Sequence, residues 1–336
     1  MSDIYAQIPR DAQPIVLNAM MTVATQAGTR DAAPITVKLV EAAGERLFAI
    51  QPGTVSWNPI SPSDLAAALT GETERELATE LLSIIPFADK QLTESEIAIV
   101  HSFANALGVE PFILADLDRL KDEKYNRLAF DYGRRGLGAF IGTDSRWAKL
   151  HQVARELRLK AGDKRLAEKY HALEALPDGT LGNAFFHFYQ DRGFAFPGEK
   201  HCLGEIVTKH DALHILSGCN TDAPGEINVA GVEAGMVGSG VGYEFLMETL
   251  ALFQDGIDFE HSSKFGITVR EDSLDPDTLM LNIRKGMDMS TNIFAADWDF
   301  WAATRRQLDE LRSECGVNGA DGSILPTVPL PPPSEN

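Results

Sequence analysis

The 336-residue chain is poor in cysteine, in positive charge and in long apolar runs. Its three cysteines, Cys202, Cys219 and Cys315, fall in no paired or metal-type spacing, which argues against a disulfide framework and for a reducing compartment. The longest apolar runs stop well short of the roughly 18 residues that a spanning helix needs. The N-terminal residues show no basic region followed by an apolar one, so neither a membrane span nor a secretory leader is expected. With 30 lysines and arginines against 49 acidic residues the net charge is −19, and a polyanion such as nucleic acid is not an expected partner.

What charge there is lies unevenly. Residues 1–121 carry −8, residues 122–170 carry +5 and residues 171–336 carry −16. The basic stretch (Arg134, Arg135, Arg146, Lys149, Arg155, Arg158, Lys160, Lys164, Arg165 and Lys169) reads as a solvated helix face, with acidic lipid headgroups or an acidic partner as the alternative contact. The expected location is cytoplasmic, with a peripheral position on the inner membrane face as its extension. The length favours two domains. An all-α architecture is expected: a helical domain over 1–135, a second over 145–316, and between them the Gly/Arg-rich Tyr132–Gly138 and a basic helix. Residues 317–336, running through Leu330-Pro331-Pro332-Pro333, read as a disordered tail.

In the first domain Thr93 and Glu96 form a capping box, Leu92 and Ile97 the matching hydrophobic staple, and Gly108 a helix stop. Residues 15–27 read as an earlier helix, and Gln51-Pro52-Gly53 to Ser61-Pro62-Ser63 as a loop.

The most chemically specific feature is His210-Asp211-Ala212-Leu213-His214, followed after eleven residues by Glu226. On a helix, positions i, i+1 and i+4 fall within about a third of the circumference, so His210, Asp211 and His214 can converge. Ser217 to Gly225 is rich in turn formers, which lets a second helix start near Glu226 facing them. Leu203, Ile206, Val207, His210, Leu213, His214 and Ser217 share one stripe, so the imidazoles point inward. Two buried imidazoles beside two carboxylates suit a divalent ion. A buried His–Asp hydrogen-bond network is the other reading. The donor set does not choose among zinc, iron and manganese.

This motif resembles that of the coenzyme Q biosynthesis protein four family, as do Leu176-Pro177-Asp178-Gly179-Thr180-Leu181-Gly182 upstream and Trp298-x-x-Trp301 with Leu308-x-x-Leu311-Arg312 downstream. The resemblance spans residues 170–316. It implies a membrane-associated helical fold, an ion held by His210, Asp211, His214 and Glu226, and a prenylated lipid beside it. The segment from Ala88-Asp89-Lys90 to Leu107-Gly108 resembles the second half of a tellurite-resistance TerB-like domain, although Lys90 stands where such domains carry glycine, so no metal site transfers to Asp89.

Gly231, Gly235, Gly238, Gly240 and Gly242 crowd the helix after Glu226, and each weakens it by about 1 kcal/mol relative to alanine. Close approach of a neighbouring helix or of an isoprenoid chain would offset this, and Gly231, Gly235, Gly238 and Tyr243 are the lipid contacts under the second alternative. Glu233, two turns beyond Glu226, is a neighbour of the ion or an exposed ion-pair partner. Phe185, Phe186, Phe188, Tyr189, Phe194 and Phe196 read as core packing, with His187 among them. The resemblance implies metal-dependent oxidative decarboxylation at C1 of a polyprenylated quinone precursor. A non-catalytic prenyl-lipid scaffold for other quinone biosynthesis enzymes and a metal-dependent hydrolase are the alternatives, and a homo-oligomer is compatible with either.

Overall fold

A computed structural model of the chain describes residues 8–128, 162–258 and 268–317, apart from Pro111, Asn126, His201, Leu203, Gly204 and Ser239. The expected linker over Tyr132–Gly138, the basic stretch as far as Lys160 and the tail from residue 318 lie outside the described residues.

Among the described residues the fold is all-α, with fourteen α-helices and three short 3-10 turns. Among the described residues the extended pairings are two isolated bridges, Thr180 with Gln307 and Asp255 with Glu271. By its internal contacts the chain falls into two compact units, Met1–Tyr132 with Asp222–Asp288, and Gly133–Thr221 with Met289–Asn336. The division expected from composition runs along the sequence, near residues 135–145; the packing units interleave, because the helices after Asp222 share a core with the N-terminal ones.

The first unit holds α1 (Gln13–Ala24), α2 (Pro34–Phe48), α3 (Pro62–Ala68), α4 (Glu72–Ser83), α5 (Glu94–Leu107) and α6 (Phe112–Lys121). Local signals set the ends of these helices. Thr93 Oγ1 accepts from Glu96 N while the Glu96 carboxylate takes Thr93 N, and Gly108 at φ +69° closes α5. Ser61 and Asp64 make a second capping box, so Pro62 and Ser63 open α3 rather than continue the loop expected there. Arg30 pairs with both Asp89 and Glu96, at 2.7 and 2.9 Å, tying the α1–α2 connection to the α5 entrance.

The later helices of this unit, in chain order, include two glycine-bearing partners, Ala223–Val237 and Pro276–Asp288, with Val241–Phe253 between them. They pack so closely that a Cβ on Gly235 would lie 2.0 Å from Ile283 O, and one on Gly286 2.0 Å from Val232 O. At Gly231 a Cβ would meet Leu279 Cδ1 at 2.9 Å. Of the two expectations for these glycines, the neighbouring helix occupies the space beside Gly231 and Gly235. Tyr243 is 1% exposed within the same core, and burial pushes its phenol pKa upward.

The second unit holds α7 (Lys164–His171), α8 (Leu181–Arg192), α9 (Thr208–Ser217), α13 (Phe300–Ala303) and α14 (Leu308–Cys315), the three helices just described being α10, α11 and α12 in chain order. Asp163 caps α7, Thr180 caps α8 and Asp299 caps α13. An aromatic core of Tyr170, Phe185, Phe186, Phe188, Tyr189, Phe196 and Phe300 fills this unit. The expectation of core packing for the aromatic segment holds for these, while Phe194 is 44% exposed.

Candidate metal centre

Helix α9 is held at both ends and along one face. At its start the Lys209 ammonium donates to the carbonyls of Phe294 and Ala295, at 3.5 and 2.7 Å, and partial burial lowers the Lys209 pKa. Tyr170 shares a hydrogen bond with Thr208 and donates to Glu205, at 3.1 and 3.0 Å. At its C-terminal end, where helix carbonyls lack intrahelical partners, the buried Arg312 guanidinium of α14 donates to Leu216 O at 3.0 Å and Ile215 O at 2.8 Å. The Leu308–Arg312 segment noted in the sequence thus caps the motif helix.

His214 is 2% exposed and packs against the Phe188 ring. Gly218, at φ +74°, turns the chain so that the Cys219 carbonyl comes back to His214 Nδ1 at 3.2 Å. The carbonyl only accepts, so Nδ1 carries the proton and Nε2 presents its lone pair. One turn earlier His210 sets its own Nε2 3.1 Å from that of His214, the two rings nearly perpendicular. The turn that shapes this pair is fixed in its own right: Arg192 of α8 reaches Thr221 Oγ1 at 2.8 Å and Asn220 Oδ1 at 3.3 Å.

Asp211 faces elsewhere. Its carboxylate accepts a hydrogen bond from the phenol of Tyr189. Tyr189 is 4% exposed, stacked on Phe185 and Phe196, and burial together with the Asp211 charge pushes its pKa well above the ordinary tyrosine value. Glu226 stands in the first turn of α10, in the other unit, on a helix capped by Asp222, whose side chain accepts from Gly225 N at 2.9 Å. Glu233 on the same helix is buried. The structure therefore pairs His210 with His214, gives Asp211 a partner on α8, and adds Tyr189 to the residues that matter. Tyr189 lacked a signal because it is one of six aromatic residues in a dozen positions.

The His pair fits a metal ion by a simple test. Two nitrogens at about 2.0–2.1 Å from one ion lie about 2.9 Å apart at a right angle and about 3.4 Å apart at the tetrahedral angle. The observed 3.1 Å falls between these values.

No family model matches the chain, and no curated protein matches it. Among solved structures, a protein of Nostoc punctiforme PCC 73102, provisionally named a ubiquinone biosynthesis protein, aligns over its whole length with 74% of this chain at 18% identity and a TM-score of 0.30. A score that low supports no transfer of function. The TerB-like resemblance of the N-terminal half gains nothing from these comparisons. Among the described residues no helix is long and apolar enough to cross a membrane.

Proposed function

We propose that the chain binds one divalent ion through Nε2 of His210 and of His214, and acts with it on the aromatic head of a polyprenylated quinone precursor. The observation that carries the metal is the facing pair of imidazole nitrogens, one of them buried with its far nitrogen bonded to a carbonyl. The substrate class rests on the sequence resemblance across residues 170–316. The reaction it implies is a two-electron oxidation that removes the C1 carboxyl as carbon dioxide and puts a hydroxyl in its place, the acid, water and dioxygen giving the phenol, carbon dioxide and hydrogen peroxide.

Two imidazoles leave coordination positions free, and a bound ion there would supply Lewis acidity or redox chemistry. The chain's own part is positional. Cys219 O fixes the His214 tautomer, Arg312 and Lys209 hold the two ends of α9, and the aromatic core beneath Phe188 keeps water from the buried imidazole.

The test loads the full-length protein anaerobically with Fe2+, Mn2+ or Zn2+ in turn and adds a polyprenylated hydroxybenzoate labelled at the C1 carboxylate, followed by oxygen. Labelled carbon dioxide released by the wild type and not by His214→Ala is the expected result. Lipid that co-purifies and stays intact with every metal would instead favour the carrier role.

A further inference from the structure

The sequence places Asp211 among the ion's ligands, yet the structure gives its carboxylate a different neighbour. Within α9, Asp211 lies about 100° round the helix from His210, and Tyr189 of α8 donates to its Oδ2. Among the described residues, Asp211 does not join His210 and His214 in a cluster tight enough to share one ion. Tyr189 itself has little freedom. Its ring stacks on Phe185 and on Phe196 at centroid distances of 4.8 and 5.1 Å, and the residue is 4% exposed, so its hydroxyl is delivered at a fixed point by a side chain with only two rotatable torsions.

We propose that Tyr189 is a positioning residue that holds the Asp211 carboxylate against α8, outside the ion's inner coordination sphere, leaving the ion with His210 and His214 and with open positions for an oxygen ligand. The inference rests on the metal reading above and sharpens it. Every protein donor added brings an ion closer to the closed, four-coordinate site of structural type, whereas an ion without Asp211 keeps a position that can take a substrate or water. Asp211 then acts through the helix, as a fixed negative charge one residue from His210 whose anchoring to Tyr189 limits the rotation of the first turn of α9. Outer partners of this kind tune affinity without supplying a bond to the metal.

The test measures Co2+ affinity by chelator competition, and the visible spectrum of the Co2+ form, in full-length wild type, Tyr189→Phe, Asp211→Ala and the double variant. Tyr189→Phe removes one oxygen and keeps the ring stack, so it reports even if Asp211→Ala folds poorly. The expected result is a loss of about 10–100-fold in each single variant, no further loss in the double variant because the two residues act as one unit, and an unchanged ligand-field spectrum. Abolition of stoichiometric Co2+ binding in Asp211→Ala, or a shift of the ligand-field bands in that variant, makes Asp211 a ligand and overturns the proposal. Unchanged affinity in Tyr189→Phe overturns it as well. Wild type that binds no Co2+ refutes the metal reading beneath it, a distinct failure.

Discussion

Replacing Gly235 by alanine sets two opposing effects against each other. In an exposed helix the change would stabilise, by about 1 kcal/mol, because alanine loses less backbone freedom than glycine. Here the new Cβ would stand 2.0 Å from Ile283 O and 2.7 Å from Met287 N. Both obstacles are backbone, so no rotamer change relieves them, and the helices must separate by about 1.4 Å to restore an ordinary contact near 3.4 Å. Separation is resisted from the other side, since Gly286 sits equally close to Val232 O. Overpacking of this kind costs about 1–3 kcal/mol and sometimes more. With backbone on both sides the cost lies at the upper end of that range, so less the propensity gain of about 1 kcal/mol the net loss is about 2 kcal/mol, and a folding unit of 150–250 residues loses about 2–4 °C in Tm for each kcal/mol. Thermal and urea unfolding of Gly235→Ala beside wild type should show a Tm lower by at least about 4 °C with the m-value retained. A Tm equal to or above wild type would refute the close-packed α10–α12 pair.

Other substitutions probe separate parts of the structure. Arg312→Met should destabilise the second unit by about 2–3 kcal/mol, because the buried carbonyls of Ile215 and Leu216 lose a charged donor; urea unfolding measures it, and a loss under about 0.5 kcal/mol contradicts the capping role. Thr93→Ala should cost about 1 kcal/mol through the lost cap of α5, read by the same method. Glu80 is 1% exposed, accepts from Gly240 N, and is pushed by burial up to a pKa of about 8. A carboxyl whose pKa is raised on folding binds more protons in the native state, so its contribution is complete below the unfolded pKa near 4.5 and falls as pH rises towards 8. Glu80→Gln should flatten the decline of stability between those pH values by up to about 1.4 kcal/mol per pH unit, and an identical slope in variant and wild type would show that Glu80 is not held protonated.

Much of the local structure was legible because its causes are local. Thr93, Glu96 and Gly108 define α5 from residues within one turn of its ends, and Asp222 does the same for α10. The His210–His214 pair is legible for the same reason, since a four-residue spacing on a helix forces adjacency. What depended on distant chain was not. The glycines at 231 and 235 signalled a close approach, but its agent lies some fifty residues on, around Ile283 and Gly286. Tyr189 and Asp211 are 22 residues apart on different helices, and no periodicity joins them. The division into units was hidden likewise, because Ile227, Leu246 and Ile283 complete a core begun by Leu17, Leu39 and Leu81, a pairing of segments more than 130 residues apart. Arg312 stood within the expected closing helix, yet its capping of α9 follows from tertiary packing alone.

The central claim is that His210 and His214 hold a divalent ion, and X-ray absorption spectroscopy of the full-length protein, dialysed to equilibrium against Zn2+, addresses it most directly. The account predicts one ion per chain, with two imidazole scatterers at about 2.0–2.1 Å that disappear, along with stoichiometric binding, in both His210→Ala and His214→Ala. Absence of bound metal in the wild type, or metal retained with an unchanged spectrum in both variants, would contradict it and leave the pair as a hydrogen-bonded element of the core.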